Sequence, residues 1–147
     1  MPDIYSREWN QTLQKMSNES DDLAGKAPAG EWRIAIEVEG DGISPYIPEG
    51  EKKHFFLRLS DGKIEEFIEK KEPIPGKGLN YRLICPAHVF ESIAAGVMDP
   101  VEKGLDGTLV IRGDMRLLIQ NAELANVIFE VYTENNQTEW PKGKPPY

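Results

Sequence analysis

The chain is short of several chemically decisive residues. Cys85 is its only cysteine among 147 residues, which excludes an internal disulfide, a CxxC pair and a cysteine-rich zinc site. His54 and His88 are the only histidines. No HExxH is present, and neither histidine has a Ser, Asp or Glu at a recognisable catalytic spacing. No apolar run approaches the roughly 20 residues that a membrane-spanning helix needs. Basic side chains are outnumbered 17 to 25 by acidic ones, giving a formal charge of −8. Such a surface repels phosphates, so nucleic acid is not expected as a partner, and anionic membranes are disfavoured. The segment MPDIYSREWNQTLQKM lacks a basic stretch followed by an apolar one, and is not read as a secretory leader. Cytoplasm is the expected compartment.

What is present has the makings of one domain. Ile4, Trp9, Leu13 and Met16 recur at helical spacing. A Gly/Ala/Pro-rich stretch follows, so residues 1–29 are read as an N-terminal helix and linker. Residues 30–133 form the domain proper, and 134–147 a polar, proline-rich tail expected to pack loosely. Within the domain, Trp32, Ile34, Ile36 and Val38 alternate with Arg33, Glu37 and Glu39, the pattern of a strand with one buried face. The long loop 40–53 carries two prolines. A hairpin follows, entered by Phe55, Leu57 and Leu59, turning at Ser60–Lys63 and leaving through Glu69. The stretch YRLIC is a short strand that stops at Pro86.

From Pro86 the period becomes helical. Val89, Phe90, Ile93, Ala94, Val97 and Met98 form one stripe, predicting a helix over 86–98. Asp99-Pro100 opens a short turn or helix. The segment GTLVIRG reads as a strand too apolar on both faces to be an exposed edge. Asp114 suits the N-cap of a final helix over 114–129 that carries Met115, Leu118, Ile119 and Ile128 inward. Strands first and helices later predict an α+β fold, with a mainly antiparallel five-stranded sheet and helices packed on one face.

The segment from Tyr81 to Phe129 is where a family comes into view. Leu83-Ile84-Cys85-Pro86, a helix with Phe90, Gly96, and Asp99-Pro100 precede the junction Gly107-Thr108-Leu109-Val110-Ile111-Arg112-Gly113-Asp114-Met115. This resembles the sterol-carrier-protein-2-like (SCP2-like) pattern over roughly residues 30–130. The resemblance implies a hydrophobic tunnel between sheet and helices for sterols, fatty acids or acyl chains, a lipid or sterol-like partner, and no catalysis. Neither cofactor nor metal is implied. The pocket candidates are Trp32, Ile34, Ile36, Phe55, Leu57, Phe90, Ile93, Met98, Met115, Leu118, Ile119 and Ile128.

Two other readings stand beside it. One is a ligand-free structural or oligomerisation module of the same fold, its tunnel filled from residues 40–50 or 121–132. Independently of these readings, a homodimer is an expected partner state, with Tyr46, Ile47, Trp140 and Tyr147 as candidates for burial against a second copy. The other reading is a small hydrolase or isomerase using His88 or Cys85. Against it, a lone cysteine among apolar neighbours is usually an inert thiol. The cluster Glu65, Glu66, Glu69 and Glu72 reads as a solvated face.

Overall fold

A computed structural model describes residues 2–19, 30–113, 116 and 138–147. The elements in chain order are α1 (Arg7–Asn18), β1 (Glu31–Glu39), β2 (Lys52–Ser60), β3 (Lys63–Lys70), β4 (Tyr81–Pro86), α2 (Ala87–Ala94), α3 (Pro100–Leu105) and β5 (Val110–Gly113). The strands form one five-stranded sheet in the order β3-β2-β1-β4-β5. Three of its pairings are antiparallel, but β4 returns beside β1 in parallel, so the sheet is mixed. The expected final helix over 114–129 lies almost wholly outside the described residues.

Alternation fixes which side of the sheet is buried. Trp32, Ile34, Ile36 and Val38 share a face with their β2 partners Leu59, Leu57, Phe55 and Lys53 in register, and the first three pairs are apolar throughout. The same rows continue through Phe67 on β3 and through Tyr81, Leu83 and Cys85 on β4. We call this the inner face. The β2–β3 hairpin closes as expected at Asp61-Gly62, with φ of 46° and 86°, the twist that suits tightly paired strands.

α1 starts at Arg7 rather than Ile4, because Ser6 caps it. Its Oγ accepts the Trp9 N–H at 3.1 Å. Trp9 and Leu13 bury against Phe55, Leu57, Ile64 and Phe67. Ala87 and Ala94 of α2 belong to the same cluster. Val89 and Ile93 join a second cluster with Cys85 and Leu109.

Three expectations need correction. The helix predicted over 86–98 stops at Ala94, because Gly96 takes φ of 78° and closes a paired cap. Val97 N–H reaches Ser92 O at 2.9 Å, and Gly96 N–H reaches Ile93 O at 3.1 Å. Val97 therefore leaves the apolar stripe and is half exposed. Second, β5 is the edge strand of the sheet among the described residues, with Val110 exposed despite its apolar sequence. Ile111 and, just before the strand, Leu109 pack into the second cluster. Third, the tail is not loose over 138–147. Ile4 N–H donates to Glu139 O at 3.1 Å and Glu139 N–H to Pro2 O at 2.8 Å, while Trp9 Nε1–H donates to Thr138 Oγ1 at 2.9 Å.

The Gly107–Met115 junction is explained at one position. A Cβ on Gly113 would lie 2.3 Å from Tyr81 Cδ1 and 2.5 Å from the Asn80 carbonyl oxygen. Only glycine lets β5 come this close to the start of β4.

Candidate functional site

Among the described residues, the inner face divides into a filled half and an apolar half whose side chains are only partly buried. Under α1 the packing is dense. The Tyr5 ring stacks on Phe90 at 5.8 Å and on Phe55 at 6.2 Å, and Phe55 and Phe90 stack at 6.4 Å. Ile47, from the long loop after β1, reaches into the same cluster and is almost wholly buried. Phe55 and Leu57 are buried here too.

At the edge of this half sits a group that hydrophobic patterning did not single out. Glu91 is completely buried, with a relative exposure of 0 %. Its Oε2 accepts the Tyr5 hydroxyl at 2.6 Å and the Ser44 hydroxyl at 2.7 Å. Its Oε1 accepts the Tyr147 hydroxyl at 2.6 Å. Burial pushes the Glu91 carboxyl above its ordinary value, and the three hydroxyl donors only partly oppose this. Sequence held one clue. Glu91 stands four residues after Ala87 and three before Ala94, both buried, and so falls on the inward side of α2.

Asp41 supplies a second polar centre. Pro86 gives α2 no side-chain cap, and Asp41 from the loop takes that place. Its Oδ2 accepts His88 N–H at 2.9 Å and lies 2.5 Å from His88 Nδ1. Its Oδ1 accepts the N–H groups of Ile43 and Ser44, each at 3.0 Å. Burial works to raise Asp41, but these hydrogen bonds, led by that from His88 N–H, hold its carboxyl well below the usual range. His88 is thus fastened to the cap of its own helix. His54 is buried on the opposite sheet face, with Nδ1 3.7 Å from Glu37 Oε1. Cys85 is buried, and loss of water pushes its thiol up to about 12. It stays a neutral thiol at physiological pH. Of the acidic cluster, Glu66 pairs with Arg58 at 3.0 Å and Glu69 with Lys53 at 3.2 Å.

The other half has a different character. Trp32, Ile34 and Ile36 of β1 are half-buried, as are Leu83 of β4, Ile111 of β5 and Met98 beyond α2. Trp32 stacks on Tyr81 with centroids 6.2 Å apart. Its indole Nε1 is buried and has no hydrogen-bond partner among the described residues. Phe90 borders both halves and packs against both clusters. Of the twelve sequence candidates, Trp32, Ile34 and Ile36 are partly buried and pack against the first cluster, Met98 against the second, and Phe90 against both. Ile93 is buried within the second. Met115, Leu118, Ile119 and Ile128 lie outside the described residues. Sequence reasoning did not select Leu83 and Ile111, although strand alternation on β4 and β5 could have placed them. Among the described residues no set of three or more His, Cys, Asp or Glu is grouped to hold a metal ion.

Comparison with known proteins places this arrangement. The chain has the fold of sterol carrier protein 2. A crystal structure of sterol carrier protein 2 superposes with a TM-score of 0.76 at 16% identity, covering 90% of this chain and 98% of that one. A conserved hypothetical protein of Thermus thermophilus, described as possibly a sterol carrier protein, gives 0.73 at 17% identity, covering 96% and 94%. A palmitated SCP2-like protein from Aedes aegypti gives 0.52 at 12% identity over 80% and 88%. No family model matches the chain. One curated protein, the methionine import ATP-binding protein MetN of Clostridium tetani, is 30% identical over 94 residues. That alignment spans 28% of its length. The present chain has no G-x-x-x-x-G-K-[ST] phosphate loop. Among the described residues no helix is long and apolar enough to cross a membrane.

Proposed function

We propose that this protein binds an apolar, lipid-like molecule against the half-covered inner face of its sheet, as a carrier and without catalysis. The observation that carries the reading is the indole N–H of Trp32. It is a buried donor with no partner among the described residues, set in a floor of Ile34, Ile36, Leu83 and Ile111. A buried donor left unpaired costs about 1–3 kcal/mol. A ligand carbonyl, carboxylate or hydroxyl oxygen would recover that cost while its chain covers the aliphatic floor. Each buried methylene contributes about 0.8 kcal/mol, so a chain of about ten gains about 8 kcal/mol before the cost of association. Further support is the shared fold, one of whose members is palmitated. The inert Cys85 thiol and the capping role of His88 weigh against a hydrolase or isomerase.

The test is binding of a fluorescent fatty acid, with native mass spectrometry of the purified protein for co-purified lipid. Micromolar binding, weakened severalfold by Trp32→Phe and abolished by Ile36→Asp, is the expected result. Absence of both probe binding and bound lipid ends the carrier reading.

One observation favours the alternative, a structural module of the same fold. Ile47 plugs the α1 half of the inner face together with Tyr5, Phe55 and Phe90.

A further inference from the structure

The opposite face of the sheet carries a separate cleft. It has a volume of about 620 Å³ and lies between the outer side of β1–β3 and the loop 71–79. Arg33 and Phe56 form its floor, the guanidinium carbon standing 5.7 Å from the ring centroid. The loop supplies an apolar wall of Pro73, Ile74, Pro75 and Leu79.

The charge of the lining reverses that of the molecule. Four lining residues are basic (Arg33, Lys70, Lys71 and Lys77) and two are acidic, whereas the whole chain has 17 basic and 25 acidic residues. Of the two acids, Glu66 is already engaged by Arg58 at 3.0 Å. Lys70, Lys71 and Lys77 make no ion pair among the described residues. Arg33 makes only a loose one with Glu31, at 3.8 Å.

The loop is tied down before any ligand arrives. Arg33 N–H donates to Asn80 Oδ1 at 2.7 Å, and Asn80 N–H donates back to Arg33 O at 2.8 Å. An Arg82 guanidinium N–H donates to the Ile74 carbonyl, and Leu79 N–H to Gly76 O at 3.1 Å. A fixed concave surface with apolar walls and a few convergent charges is the usual form of a small-molecule site.

We propose that this cleft binds a small organic anion, a carboxylate or phosphate carried on a flat apolar body. The body lies on the Arg33–Phe56 platform against Pro73, Ile74 and Pro75, and the anionic group faces Lys71 and Lys77. The site is independent of the lipid proposed on the inner face.

Titration of the isotopically labelled full chain with 1-naphthyl phosphate, 1-naphthoate and inorganic phosphate, followed by amide chemical shifts, tests it. At least one naphthyl anion should shift the amides of Arg33, Phe56 and residues 70–79 saturably, and leave Trp32 and Leu83 unmoved. The stronger of the two names the anionic group. K71E/K77E should weaken binding about tenfold or more, and raised salt should weaken it as well. The proposal is overturned by absence of a saturable shift, by shifts confined to the inner face, or by inorganic phosphate acting as strongly as the naphthyl anions. Fluorescent fatty-acid binding by K71E/K77E should stay at the wild-type level, which keeps failure here distinct from failure of the lipid reading.

Discussion

Tyr147 donates its hydroxyl to Glu91 at 2.6 Å across 56 positions of sequence, and so fastens the tail to a fully buried carboxylate on α2. Tyr5 and Ser44 complete the cluster from the N-terminal segment and the long loop. Four distant stretches of chain are joined at one buried carboxyl group.

Removing that carboxyl without replacing its geometry should be costly. Glu91→Ala leaves three hydroxyls with no acceptor and opens a void, and is expected to destabilise the fold by about 2–4 kcal/mol. Tyr147→Phe removes one bond from a half-exposed ring and should cost about 1 kcal/mol. Urea denaturation midpoints check both. Equal losses for the two variants would contradict the central position of Glu91.

The two carboxylates pull the pH dependence in opposite directions. Glu91 holds its proton more tightly folded than unfolded, so the native state binds more protons and this group lowers stability as pH rises above the ordinary glutamate range. Asp41 holds its proton less tightly folded. Its contribution is present above the unfolded aspartate value and is lost as pH falls below it. Thermal unfolding across pH should show both limbs. Glu91→Gln should flatten the upper one and leave the acid limb intact.

The Cys85 thiol should be silent in the folded protein. It is buried and pushed up to about 12, so a thiol reagent at mildly alkaline pH should modify it only after denaturant is added. Rapid labelling of the native protein would refute its placement.

Gly113→Ala should destabilise by more than about 2 kcal/mol, because the added carbon meets backbone as well as a ring. Gly76→Ala, where a Cβ meets nothing within 4 Å, is the control and should be nearly neutral.

Strand alternation read the inner face correctly. Trp32, Ile34 and Ile36 sit opposite Leu59, Leu57 and Phe55 as their period of two requires. The hairpin at Asp61-Gly62 and the start of α2 after Pro86 were equally legible, since each depends on local backbone chemistry. Neighbouring residues can hide such rules. Val97 fits a helical stripe, yet Gly96 ends the helix before that stripe can continue. β5 shows the limit in another way. Its apolar sequence suggested an interior strand, but an element's place in a sheet depends on which strands pair beside it.

The sequence by itself determined β1, the β2–β3 hairpin and the start of α2, because these follow from periodicity and from backbone preferences acting over a few residues. The resemblance to the SCP2 pattern rested on the motif from Leu83 to Met115. Only the tertiary structure decided that Glu91 would be buried beneath hydroxyls from positions 5, 44 and 147, that Ile47 would join Tyr5, Trp9 and Phe55 in the core, and that Arg33 and Lys77 would share a cleft. Those outcomes depend on contacts between residues far apart in the chain. Burial, partners and charge environment are properties of the assembled surfaces, and no short window of sequence contains them.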